Sequence, residues 1–137
     1  MSTNGKALSI ALVDDDEAVR MALTDMLFLS GYQVLPAADG EEALDILRTH
    51  KVDLVITDLM MPGMSGVELI DQAAPVYPDL PFIVLSAFGT TDTARESLQH
   101  GAVDFLSKPV SRSELIIAVE RNIERRRLEA KRLQETT

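Results

Sequence analysis

Four polar groups stand where apolar stretches of this chain break off. Asp14, Asp15 and Asp16 follow the run from 7 to 13, and Asp58 ends the run from 52 to 57. Ser86 follows the run from 81 to 85, and Lys108 closes the run that begins at 102. The runs are short and mostly rich in β-branched residues, the pattern of strands buried on both faces. A core strand has no need of an Asp at its end. If the strands lie parallel, their carboxyl ends share one edge, where open α/β sheets bind ligands. Carboxylates gathered there cost several kcal/mol in repulsion and lost hydration unless a cation joins them. Oxygen donors without His or Cys select a hard ion, so Mg²⁺ is expected. Lys108 adds a second positive charge and Ser86 a hydroxyl donor. A carboxylate nucleophile at Asp58 beside a metal, a cation and a hydroxyl is what in-line transfer of a phosphoryl group requires.

The elements that must position these groups follow from periodicity and punctuation. The first strand is expected over Ala7 to Val13. A helix from Glu17 to Leu29 places Val19, Leu23, Met26 and Leu27 at helical spacing, and Ser30-Gly31 ends it. A second strand spans Tyr32 to Pro36, and Asp39-Gly40 opens a helix with Ala43, Leu44 and Leu47 on its apolar side. The third strand carries Asp58, and Pro62-Gly63 prevents its continuation. Ser65 caps a helix through Ala74, closed by Pro75 and Pro78. Pro81 to Leu85 is the fourth strand. A helix with Ala94 and Leu98 inward then runs to Gly101. Ala102 to Leu106 is the fifth strand, and Ser111 caps a long last helix beginning around Glu114. Unbroken strand–helix alternation predicts parallel strands, right-handed crossovers and helices on both faces. The fold class is α/β, doubly wound, with five parallel strands and an extended C-terminal helix; if strands one, three, four and five are neighbours, as in the flavodoxin-like order 2-1-3-4-5, the polar strand ends converge on one crevice.

The chain has 137 residues, a formal net charge of −9 and no Cys. That length suits one domain with a real core. The acidic balance argues against a broad basic face for nucleic acid. Without Cys there is no disulfide or thiolate chemistry, which fits a reducing compartment. No run nears the roughly 20 apolar residues of a membrane span, and the polar start is unlike a secretory signal, so a soluble cytoplasmic protein is expected. Arg121, Arg125, Arg126, Arg127, Lys131 and Arg132 crowd the C-terminal end, but interleaved Glu residues favour a solvated helix face. His50 and His100 sit at helix ends as surface or capping residues.

The segments VDDDEAVR, TDLMMPGMSG, IVLSA and FLSKP, in this order and at these separations, resemble the receiver (CheY-like) domain of two-component response regulators. The resemblance covers roughly Leu8 to Glu124. It implies that Asp58 is the phosphoacceptor, charged by a histidine kinase or phosphotransfer protein. By the same resemblance Asp15 is the direct Mg²⁺ ligand, Asp14 a water-bridged one, and the backbone carbonyl of Met60 completes the protein's share. Ser86 matches the switch hydroxyl, Phe105 the aromatic switch, and Lys108 the lysine that pairs with the phosphoryl group. Such a domain is a switch rather than an enzyme, although it catalyses its own phosphotransfer and slow autodephosphorylation. Its output face is the fourth helix, fifth strand and fifth helix. The resemblance also implies a cis Lys108-Pro109 bond. Met60 and Phe88 occupy positions that govern autodephosphorylation in the family. Neither can orient a water, so a long-lived acyl phosphate is expected.

Residues 1–124 are then the receiver domain, and residues 125–137 a helical linker toward an output domain or a homodimer contact that depends on activation. Ile116, Val119, Ile123, Ala130 and Leu133 fall on a coiled-coil-like seam interrupted by Arg126. No membrane association or direct nucleic-acid binding is expected. The alternative is a haloacid-dehalogenase-type phosphatase using Asp14 as nucleophile in an Asp14-x-Asp16 motif. Ala18 departs from that motif, and the chain lacks a cap domain and a late acidic motif. A flavodoxin-like nucleotide or flavin binder is rejected, because three acids after the first strand repel phosphate unless a metal intervenes.

Overall fold

The computed structural model describes residues 7–87 and 89–136. The strands are β1 (Ser9–Val13), β2 (Gln33–Ala37), β3 (Leu54–Asp58), β4 (Phe82–Ser86) and β5 (Asp104–Ser107). The helices are α1 (Glu17–Leu29), α2 (Gly40–Thr49), α3 (Gly66–Ala73), α4 (Thr91–Gln99) and α5 (Arg112–Thr136). All strand pairs are parallel, in the order β2-β1-β3-β4-β5. The expected doubly wound (βα)5 architecture is therefore observed.

Burial explains why the strands read as they do. Every residue of β3 and of β4 is buried, because helices cover both faces. On one face Leu23 and Leu27 of α1 pack with Leu115, Ala118 and Val119 of α5 against Ile10, Leu12, Ile56 and Ile83. On the other, Ala43 and Leu47 of α2 join Val67, Leu69 and Ile70 of α3 against Ala11, Val13, Val55 and Val84. Side chains alternate along each strand between these clusters, as the pleat requires.

The strands sit one or two residues further along than the apolar runs suggest. β5 starts at Asp104 rather than Ala102, and β4 reaches Ser86, because each strand extends only where a neighbour pairs with it, as in Ser86 opposite Ser107. α5 begins at Arg112, two residues before the expected start. Ser111 caps it in a reciprocal pair with Glu114, each backbone N–H donating to the other's side chain at 3.1 Å.

In α4 the expectation for Leu98 fails. Leu98 is 49% exposed, and Ser97 is the buried residue, its Oγ donating to the Thr93 carbonyl at 2.9 Å. Ala94, as expected, is half-buried. α4 packs through small side chains, and Leu98 lies one helical step outside that contact.

The seam of α5 also divides. Val119 is buried and Ile116 and Ile123 are half-buried in the core, so that half of the seam is already covered. Ala130 and Leu133 lie further on, over a groove of about 380 Å³ shared with Leu80 and Pro81. Arg126 is not a solvated charge: its Nη1 donates to the Asp53 carbonyl at 2.8 Å. Asp53 in turn accepts the Ser9 N–H at 2.9 Å, so the helix is tied to the amino ends of the sheet.

Candidate functional site

Asp58 ends β3 at the carboxyl edge of the sheet and is 8% exposed. Two backbone bonds place it there. The Leu59 N–H donates to the Leu85 carbonyl at 2.8 Å, and the Gly66 N–H to the Leu59 carbonyl at 2.9 Å. The turn between them uses Gly63 at φ +79°, a left-handed conformation that suits glycine. Gly66 opens α3 directly against this strand end, where a Cβ would stand 2.5 Å from the Asp58 carbonyl oxygen. Sequence reasoning did not single out Gly66. A glycine directly after a capping serine was the available signal.

Asp14 directly follows the adjacent strand β1, and its own N–H donates to the Ala37 carbonyl at 3.1 Å. Its carboxylate is 1% exposed; Oδ1 accepts the Asp16 N–H at 2.9 Å. The Asp14 carbonyl accepts from Arg20 Nη1 at 2.8 Å, which ties α1 to this turn. Asp15 is exposed, yet it offers an oxygen to the same cluster. One carboxylate oxygen from each of Asp14, Asp15 and Asp58 lies within 4.8 Å of the others. Asp16 faces away and caps α1, accepting the Val19 N–H at 3.1 Å.

Lys108, the residue after β5, closes the cluster. Its Nζ donates to Asp14 Oδ2 at 2.7 Å and to Asp58 Oδ2 at 3.1 Å. The Lys108 N–H donates to the Ser86 carbonyl at 2.8 Å, so the two residues are joined through backbone. Ser86 is fully buried beside them, and the Lys108-Pro109 bond is cis. The Met60 N–H reaches Asp58 Oδ1 at 3.4 Å, with the Met60 side chain exposed. Phe105 is half-buried against the cluster under α2 and α3. His50 and His100 lie at helix ends away from these residues, with Nδ1 atoms at 2.9 Å from Thr49 Oγ1 and 2.8 Å from Asp71 Oδ1.

The electrostatics follow from this crowding. Burial raises the Asp58 carboxyl above its ordinary value, against the opposing pull of Lys108. Burial alone would lower Lys108, but its bonds to Asp14 and Asp58 outweigh that and raise it. One ammonium is thus bonded to two of the three carboxylates, Asp14 and Asp58, and the site remains short of positive charge. The donors are all oxygen and lie within reach of a single ion, so they fit Mg²⁺. A carboxylate held at a strand tip, beside a hard-cation site and an ammonium, can accept and stabilise a phosphoryl group.

The family model of the response regulator receiver domain matches residues 10–120. The response regulator FleR of Pseudomonas aeruginosa is 39% identical over 116 residues, covering 85% of this chain and 24% of its own length. The C4-dicarboxylate transport transcriptional regulatory protein DctD of Rhizobium meliloti is 38% identical over 122 residues, 89% of this chain and 26% of its own length. The chain thus spans about a quarter of these relatives. Among solved structures, a CheY-like receiver domain from Methanospirillum hungatei has a TM-score of 0.86 at 27% identity, covering 90% of this chain and 99% of its own. NtrX from Brucella abortus has a TM-score of 0.87 at 30% identity, covering 92% and 29%. The phosphatase alternative has no support here: Asp14 is buried with both oxygens engaged, and the matches are response regulators. On fold, site and kinship together, the chain belongs to the response regulator receiver domain family.

Proposed function

We propose that Asp58 is the phosphoacceptor of a two-component switch, charged by a histidine kinase or a phosphotransfer protein. The observation that carries this is Lys108 Nζ bridging Asp14 and Asp58 while Asp15 offers a third carboxylate oxygen to the same point. An Asp58 carboxylate oxygen attacks phosphorus, the bond from phosphorus to the donor breaks, and the departing group takes the electron pair. Asp14, Asp15, Asp58 and the Met60 backbone carbonyl would hold Mg²⁺. When bound, that ion supplies the positive charge that the carboxylates and phosphoryl oxygens lack. Lys108 pairs with the phosphoryl group, and the Ser86 hydroxyl donates to it. As Ser86 turns inward, Phe105 follows into the vacated space, and the face formed by α4, β5 and α5 changes.

The protein is then a switch, acting in the cytoplasm. Its own hydrolysis of the acyl phosphate is slow, because Met60 offers no group to orient a water; Phe88, the second position concerned, lies outside the described residues. Residues 1–124 form the receiver unit, and residues 125–137 continue α5 as a linker toward an output domain or an activation-dependent homodimer. Neither membrane nor nucleic acid is contacted directly by this domain. No described helix is long and apolar enough to cross a membrane. The test is labelling with acetyl phosphate and Mg²⁺, read by intact mass. Label lost in Asp58→Asn, and mapped to Asp58 by peptide mass in the parent chain, supports the receiver reading; label mapped to Asp14 overturns it.

A further inference from the structure

β5 opens on Asp104, and this one carboxylate serves two elements. Oδ1 accepts the Phe105 N–H at 3.0 Å. Oδ2 accepts from the Arg121 guanidinium and from Asn122 Nδ2, the latter at 3.3 Å. Asn122 is 3% exposed, and its Nδ2 also donates to the Ala118 carbonyl at 2.8 Å, so both of its amide protons are placed. The Asp104 side chain itself is only 19% exposed, where charge-assisted bonds hold geometry well. The loop after Ser86 comes close to the same strand at Gly89. A Cβ at Gly89 would lie 2.2 Å from Ser107 Oγ and 3.4 Å from Phe105 Cε1. Phe105 thus has its ring near the loop that contains Gly89 and its backbone N–H on a carboxylate that also holds α5.

We infer that Asp104 is a positioning residue that couples Phe105 to the seating of α5. A displacement of the Phe105 backbone alters the Oδ1 bond, and the same rigid carboxylate holds Arg121 and Asn122 through Oδ2. α5 runs unbroken from Arg112 to Thr136, so a change in its roll at 121 and 122 is delivered to the end of the helix. Arg126, bonded to the Asp53 carbonyl, is the pivot against which that roll is measured. This inference rests on the phosphoacceptor reading of Asp58.

The experiment loads the full chain with beryllofluoride and Mg²⁺ and reads two signals from one sample. Fluorine NMR reports occupancy of Asp58, and amide hydrogen exchange reports α5. In the parent chain, loading changes exchange across residues 112–136. Asp104→Asn and Arg121→Gln load with affinities within about twofold of the parent, as expected for residues outside the site. In both, the exchange response of α5 falls about fivefold or more. Arg121→Gln leaves the Phe105 N–H bond intact, so the question stays answerable if Asp104→Asn folds poorly. A variant that loads and keeps the full α5 response overturns the coupling, as does a parent chain that loads without any response. Failure of the parent chain to load would remove the phosphoacceptor reading itself, and the coupling with it.

Discussion

Lys108 and Asp14 are 94 residues apart in the chain, and their side chains meet at 2.7 Å on the carboxyl edge of the sheet. The same ammonium reaches Asp58, so it is the charge that makes this acidic corner tolerable in the folded state.

Removing that ammonium tests the balance. Lys108→Met leaves two buried carboxylates uncompensated and costs about 1–3 kcal/mol of folding stability. Added Mg²⁺ restores part of the loss by binding the native state alone. Urea melts with and without the ion measure both effects. A variant as stable as the parent in the absence of metal would contradict the charge assignment.

The close approach of α3 predicts a second loss. Gly66→Ala places a methyl group where the Asp58 carbonyl oxygen already lies, so α3 must retreat from the strand end. The cost is about 1–3 kcal/mol. The rate of labelling by acetyl phosphate falls as well, because the Asp58 main chain moves. Thermal melts and intact mass read the two effects separately.

If Asp58 is the phosphoacceptor, as proposed, persistence of the phosphoryl group is expected to depend on Met60. Its side chain is exposed beside Asp58 and has no group to direct a water. Met60→Asn supplies one and shortens the half-life of the acyl phosphate by about tenfold or more. Decay of the label after removal of acetyl phosphate gives the rate. A half-life of seconds in the parent, unchanged by Met60→Asn, removes the explanation.

Tyr32 gives a pH dependence away from the site. Burial raises its phenol above the ordinary value, and the carboxylate of Glu120 adds to that. The folded pKa is therefore higher than the unfolded one, and the native state holds a proton that the unfolded chain releases. Below the unfolded value of about 10 there is no effect; as pH climbs through and beyond it, stability is lost. Tyr32→Phe removes this term, so its melting temperature falls less steeply than the parent's in alkaline buffer. Parallel slopes would refute the assignment.

The sequence was informative wherever a local rule suffices. The 3.6-residue spacing of Leu23 and Leu27 and the caps at Ser65 and Ser111 are written in neighbouring residues. So is the stop at Pro62-Gly63. The alternation of strand and helix then placed Asp58, Ser86 and Lys108 on one edge. Leu98 was misplaced because periodicity cannot say which side of a weakly apolar helix meets the sheet, and α4 meets it through Ser97.

By itself, then, the sequence determined which residue types end each strand and that the strands run parallel. Both are consequences of short-range sterics and burial. Tertiary structure alone decided that one ammonium serves Asp14 and Asp58, that Arg126 is tied to the Asp53 carbonyl, and that Asp104 grips Phe105 and α5 together. Those relations depend on distances of a few ångströms between segments far apart in the chain. Such distances are set by how helices and strands pack, and no local pattern of residues encodes them.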